Sequence, residues 1–248
     1  MLEDFMTVQL QKLFEGNLAA DVRTENHGRF LVIRIYRSNR ITKLPKKLTP
    51  EVAYLAGVLL GDGNMAVAER KNTPYPRLLM SIFNRSDRFL KLLDDMFYKE
   101  FGIRGTLYKK PDKNCYVLRI SCKPVWLYFN RAVGIPAGKK MNLKVPPTLE
   151  NPSLFKHMMA GLFDTDGYYN SFQTYGIMMT GSNVHFLKRI KALSKEFYGL
   201  DFGKLTEDSI VLNGKIRKRV QMNLSKFSNP NFRKIVPLKL KTGGPTQN

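Results

Sequence analysis

Two nonapeptides, Leu55-Ala-Gly-Val-Leu-Leu-Gly-Asp-Gly63 and Met159-Ala-Gly-Leu-Phe-Asp-Thr-Asp-Gly167, share the pattern apolar-Ala-Gly-apolar-apolar-x-small-Asp-Gly and lie 104 residues apart in a chain of 248. The segments downstream of the two copies also correspond. Ser86-Asp-Arg-Phe-Leu-Lys matches Ser182-Asn-Val-His-Phe-Leu-Lys, Lys99-Glu-Phe101 matches Lys195-Glu-Phe197, and Gly105-Thr-Leu107 matches Gly203-Lys-Leu205. A fixed order of features at nearly constant offset marks an internal repeat, one supersecondary unit used twice.

Each unit reads as helix, two strands, helix, two strands, helix. Thr49-Pro50 and Asn151-Pro152 are helix-start signals, a capping side chain followed by proline at the first helical position. Gly63 and Gly167 are expected to end the two motif helices in the left-handed conformation. Arg77 to Phe83, Cys115 to Ser121 and Arg217 to Leu224 alternate apolar and polar residues as half-exposed strands do. Trp126 and Phe129 are spaced as the core face of a helix. The expected organisation is an N-terminal extension over residues 1–48, a first repeat over 49–136, a linker over 137–150 and a second repeat over 151–248. Within the extension, Leu31 to Tyr36 reads as a strand, and the segment serves either as a DNA-contacting arm or as a flap over one core.

Charge narrows the partner. Lys and Arg number 41 against 20 Asp and Glu, a net +21 that a polyanion would offset. The basic residues cluster at Arg70-Lys71, Lys109-Lys110, Lys139-Lys140 and Lys215 to Arg219, in or beside strands and turns, which suits a folded anion-binding surface better than a basic tail. No apolar run reaches bilayer length, so no membrane partner is expected. Two cysteines, Cys115 and Cys122, supply neither a disulfide framework nor zinc spacing and read as ordinary strand residues. The acidic start Met1-Leu-Glu-Asp is unlike a secretory signal, which points to an intracellular protein of the cytoplasm or of an organelle.

Within each motif the small residues recur four apart, Gly57 with Gly61 and Gly161 with Thr165, and so line one helical face. Two such faces can pack with their backbones very close. Asp62 and Asp166 then sit at helix C-terminal ends, where the dipole disfavours a carboxylate. Two such ends brought together would place like charges at one point, a repulsion that a divalent cation relieves. Oxygen ligands favour Mg²⁺, and three histidines in the chain argue against zinc.

The motif pair resembles the signature of single-chain LAGLIDADG homing endonucleases, over roughly residues 50–241. The second copy is the closer match, because Leu60 stands where the family often has an acid. The resemblance implies an α+β fold of two pseudo-symmetric αββαββα units, with the motif helices at their interface and antiparallel sheets forming a DNA-binding saddle. It implies a monomeric, intron-encoded or free-standing enzyme that hydrolyses both strands of a long double-stranded DNA target and leaves short 3′ overhangs. Mg²⁺ would be the cofactor, with Mn²⁺ substituting and Ca²⁺ supporting binding without cleavage. Asp62 and Asp166 match the metal-binding acids, and the carbonyls of Gly61 and Thr165 would be further ligands. Asn84 aligns with a peripheral polar position whose counterpart is Gly181, and Lys139 or Lys140 resembles the basic position of the first unit. Lys226 and Lys239 are the weaker options in the second.

For DNA contact the strand faces offer Arg70, Arg77, Arg104, Lys109, Arg119, Lys204, Lys215, Arg217 and Arg219. Arginine suits guanine edges and lysine suits phosphates. Tyr168, Tyr169 and Tyr175 either touch DNA or belong to the core. The alternatives are an RNA maturase, which would add RNA as a partner, and a DNA-binding protein on the same scaffold. Neither needs both acids. An excised intein nuclease is less favoured, since the chain begins with Met and ends Pro-Thr-Gln-Asn.

Overall fold

The computed structural model describes residues 22–35, 40–70, 73–111, 113–169, 175–212, 215–225 and 229–239. Three strands, β1 (Val22–His27), β2 (Phe30–Ile35) and β3 (Arg40–Pro45), form an antiparallel sheet in chain order ahead of the first motif. The first unit runs α1 (Pro50–Leu60), β4 (Gly63–Arg70), β5 (Thr73–Asn84), α2 (Asp87–Phe101), β6 (Thr106–Lys109), β7 (Tyr116–Ile120) and α3 (Lys123–Leu127). The second runs α4 (Pro152–Asp166), β8 (Gly167–Tyr169), β9 (Tyr175–Thr180), α5 (Val184–Tyr198), β10 (Thr206–Leu212), β11 (Lys215–Asn223) and α6 (Asn229–Ile235). The expected pair of αββαββα units is therefore present. Their antiparallel sheets have the equivalent orders β4-β5-β7-β6 and β10-β11-β9-β8.

The helix starts follow from their caps. Thr49 accepts from the Val52 amide at 3.1 Å, Asn151 from Leu154 at 3.0 Å and Ser86 from Phe89 at 3.1 Å, each satisfying an otherwise orphaned N–H. The helix ends correct one expectation. Helix α1 stops at Leu60 with Gly61 as its cap, and α4 continues through Asp166 to Gly167, whose φ is −78°, not left-handed. Gly63 and Gly167 are needed for space. The chain turns at once from helix into strand, so a Cβ at Gly63 would lie 2.5 Å from Leu59 Cα, and one at Gly167 would lie 2.8 Å from Phe163 Cα. The left-handed caps belong to Gly102 (φ 68°) and Gly199 (φ 65°), after α2 and α5.

The core is continuous across both units. Met80, Ile82, Leu118 and Ile120 line the inner face of the first sheet, and Ile177, Met179, Val220 and Met222 line that of the second. Trp126 and Phe129 are buried as the helical spacing predicted, although the helix continues past Leu127 as a π-helical turn, Tyr128–Val133. The described part of the N-terminal extension is a cover over the first unit. Leu31, Ile33 and Leu44 are fully buried, and β3 packs on α2 and α3. Between the units, Leu143, Val145 and Leu149 are buried and the Gly138 amide donates to the Met65 carbonyl at 2.7 Å, so this connection is packed down along its length. Cys115 and Cys122 form no disulfide and flank β7. Among the described residues no helix is long and apolar enough to cross a membrane.

Candidate active site

The two motif helices meet through their glycines. A Cβ on Gly57 would lie 2.9 Å from the Leu162 amide nitrogen and collide with the Met158 carbonyl oxygen. One on Gly161 would lie 2.9 Å from the Val58 nitrogen and collide with the Tyr54 carbonyl. Backbone faces backbone at both points, with no side chain that could yield. One turn further on, a Cβ at Gly61 would run into the Thr165 hydroxyl and stand 2.9 Å from Asp166 Oδ2. Thr165 turns that hydroxyl onto its own helix, donating to the carbonyls of Gly161 and Leu162 at 3.1 and 3.0 Å. The helix pair thus brings Gly61, Asp62, Thr165 and Asp166 to one place, although they lie far apart in sequence.

Two more polar groups define this place. Asn84, at the end of β5, donates from Nδ2 to Asp62 Oδ2 at 3.3 Å, while its Oδ1 accepts the Ser86 amide at 3.0 Å. Lys140 reaches in from the connecting segment, and its Nζ donates to the Gly61 carbonyl. Burial pushes the Asp62 carboxyl up to about 6, with the Lys140 charge and the Asn84 hydrogen bond opposing. The Asp166 carboxyl is pushed up to about 7, by burial first and then by the negative charge of Asp62, with Lys140 opposing. Lys140 is held down at about 8 by burial, while both carboxylates pull it upward. A single ammonium, the one cation in the cluster among the described residues, therefore sits among two carboxylates and a carbonyl. That donor set is all oxygen and suits a hard divalent ion. Among the described residues no cluster of three or more His, Cys, Asp or Glu exists.

The raised carboxyls also make stability depend on pH. A carboxyl with a raised folded pKa binds more protons in the native than in the unfolded state, so its cost grows as pH rises from about 4 through about 6 and is complete above that. Without divalent ions, Asp62→Asn is expected to stabilise the protein at pH 7.5 by about 2–3 kcal/mol, from a shift of roughly two units at 1.36 kcal/mol each. The gain should vanish near pH 4. Thermal unfolding of both proteins in chelator across this range checks it, and a gain independent of pH would contradict the burial of Asp62.

The remaining residues singled out in the sequence divide. Lys139 is exposed and outside the cluster, so of the lysine pair only Lys140 enters it. Lys239 is bonded through its amide to Asp164 Oδ2 at 2.7 Å, beside the Tyr54 hydroxyl, rather than to the acid pair. Lys226 lies outside the described residues. Arg77 and Arg119 lie on the face of the first sheet away from the helices, in register with Ala68 and Ser81. Arg219 holds the same place in the second, paired with Thr180. Arg119 donates to the Tyr108 hydroxyl and Arg219 donates to Asp208 at 3.0 Å, yet the buried Nε of each has no partner. Two corrections concern the first unit. Arg104 precedes β6 and is engaged by Asp94 at 3.0 Å and by Asp95, and it stacks on Tyr98 of α2. Lys109 pairs with Tyr116 at the tip of β6, two residues on from Leu107, and so alternates to the helix-covered side. Charge near a strand points to both residues but does not specify the side. Lys204 is exposed in the connection before β10. Arg70 belongs to β4, and Lys215 and Arg217 to β11, but their side chains lie outside the described residues.

Tyr175 is buried against Phe232, and Tyr169 packs on Tyr175, so both are core residues. Tyr168 is on the open face and donates to Asn223 at 2.7 Å. Sequence reasoning missed Tyr108 and Asn223 as supports of that face. Strand alternation through Leu107 and Met222 could have identified them.

Comparison with known proteins agrees with this fold. Residues 49–131 match the family described as LAGLIDADG-like domain. The glutamine–fructose-6-phosphate aminotransferase (isomerizing) of Methanocaldococcus jannaschii is 29% identical over 170 residues, 66% of this chain and 14% of that protein. The chain spans about a seventh of the length of this curated relative. Among solved structures, mesophilic variants of the homing endonuclease I-DmoI superpose with a TM-score of 0.58 at 17% identity, covering 75% of this chain and 94% of theirs. I-DmoI in complex with DNA and Mn gives 0.55 at 16% identity, covering 75% and 96%. At such identities the likeness is one of fold.

Proposed function

We propose that this chain, a LAGLIDADG protein by its motif pair, its matched domain and its fold, is a site-specific endonuclease that hydrolyses both strands of a long DNA duplex with a divalent cation. The observation that carries the reading is the convergence of Asp62, Asp166 and the Gly61 carbonyl on one ammonium, at the crossing of two helices whose units each present an open sheet face. The open faces carry Arg77, Arg119 and Arg219, cationic donors that suit a ligand rich in acceptors.

Asp62 and Asp166, with the carbonyls of Gly61 and Thr165, would hold Mg²⁺, for which Mn²⁺ would substitute, while Ca²⁺ would support binding alone. Such a cation polarises a phosphoryl oxygen and lowers the pKa of an attacking water. Asn84 orients the Asp62 carboxylate through its bond to Oδ2. Lys140, whose Nζ reaches this same place, would donate to a phosphate or to the leaving 3′ oxygen. The products would carry short 3′ overhangs, and the protein would act as a monomer because both acids are supplied in one chain. The match to a small part of a much longer protein favours one second reading, that the same module also occurs inside longer polypeptides.

The test is incubation with Mg²⁺ and DNA in which the element's own insertion site is uninterrupted, with the products mapped on both strands. Cleavage at one position with a short stagger is expected, and no cleavage of that DNA or of a randomised library would count against the reading. Binding in Ca²⁺ should weaken steeply with salt, by a log-log slope of about −0.9 for each phosphate neutralised. A slope near zero would show that the open faces do not meet the backbone.

A further inference from the structure

The two units differ by one residue at the start of their second helix, and the difference falls beside the cluster. In the first, Ser86 caps α2, accepting from the Phe89 amide. In the second, Ser182-Asn-Val-His-Phe has one residue more than Ser86-Asp-Arg-Phe, and a 3₁₀ turn, Gly181–Asn183, takes it up. Asn183 stands at the cap position of α5 but makes no side-chain cap. Its side chain is turned away from its own helix and is 2% exposed. Oδ1 accepts the Leu143 amide at 3.1 Å, and Nδ2 donates to the Lys140 carbonyl at 3.3 Å and to Thr180 Oγ1 at 3.1 Å. The side chain forgoes the cap, a contact Asn favours, and makes three other hydrogen bonds instead. Here it grips both sides of the turn that presents Lys140. On the other side of that turn, the Gly138 amide is bonded to Met65 of β4.

Resting on the proposed nuclease reading, we propose that Asn183 is a positioning residue for Lys140: the second unit clamps the connecting segment so that the lysine enters the cluster at the motif-helix ends. Lys140 is carried on a segment without strand or α-helix, where a long flexible side chain would otherwise sample many positions. Asn183 fixes its main chain instead. The unit whose own peripheral position is Gly181 thereby contributes to the cluster through the linker.

The test uses the full chain with Asn183→Ala and, as a milder variant that keeps a polar group too short to span both partners, Asn183→Ser. First, the metal-free proteins are acetylated at low reagent and the rate at each lysine is read by mass spectrometry. Lys140 should react about tenfold or more slowly than Lys139 in the wild type, and both variants should largely abolish that protection, as local opening does. Second, single-turnover cleavage should fall about 10–100-fold, as on loss of an outer-shell partner, with affinity for DNA in Ca²⁺ unchanged. In a Lys140→Met background, Asn183→Ala should add nothing. Unchanged protection of Lys140 in a folded variant, or a cleavage loss that adds in full to that of Lys140→Met, overturns the proposal. If the wild type cuts no DNA while the labelling changes as stated, the nuclease reading fails and the clamp stands.

Discussion

Replacing either acid by its amide, Asp62→Asn or Asp166→Asn, is expected to abolish double-strand cleavage while leaving DNA binding in Ca²⁺ essentially unchanged. The amide keeps size and hydrogen bonding but removes the negative charge, and with it the affinity for a cation between the motif helices. Loss of a single preorganised charge-stabilising donor costs on the order of 10²–10³ in rate. Loss of a charged ligand should cost at least that, so a fall of about a thousandfold or more is expected in single-turnover assays. Binding persists because the strand arginines lie on other elements. Cleavage by both variants within about tenfold of wild type would mean that the acids are not the reacting centre, since effects that small fall below even a modest acid–base contribution.

Gly161→Val should cause a large loss of stability at the interface. Its side chain would enter the space held by the Tyr54 carbonyl and the Val58 amide, both fixed in α1. Overpacking where a side chain can move costs typically ~1–3 kcal/mol, and here only a whole helix can move, so more than ~3 kcal/mol is expected. For a protein of this size that lowers the melting temperature by about 6–12 °C or more, at 2–4 °C per kcal/mol. Gly161→Ala should lie between, and its residual activity should fall further than its stability accounts for, because separating the helices also separates Asp62 from Asp166. A melting temperature within about 2 °C of wild type for Gly161→Val would contradict the close approach, since that corresponds to less than ~1 kcal/mol.

Much of the fold was legible in the sequence because the repeat exposes it. The offset between Gly57 and Gly161 and the capping residues Thr49, Ser86 and Asn151 fixed two equivalent units and the helices between them, and recognition of the LAGLIDADG pattern is borne out by the match over residues 49–131 and by the fold. The acids stood out by their position at helix ends. The features that were not legible depended on direction. Lys139 and Lys140 are equivalent as letters, and only the packed path of the connection turns one inward. Arg104 and Lys109 carry the right charge, but acidic partners on α2 and strand alternation take them off the open face. Gly63 and Gly167 suggested left-handed stops, whereas the tight helix-to-strand turn needs them for space. The single-residue excess before Val184 was visible in the repeat, and its consequence, the release of Asn183 from capping, required three dimensions.

The most direct measurement is anomalous diffraction from crystals of the protein with its target duplex and Mn²⁺. Density for the ion is predicted at the meeting of α1 and α4, with oxygens of Asp62 and Asp166 within about 2.0–2.6 Å of bound metal and a phosphate of the cut step beside it. Manganese found only elsewhere, with neither carboxylate among its ligands, would contradict the account.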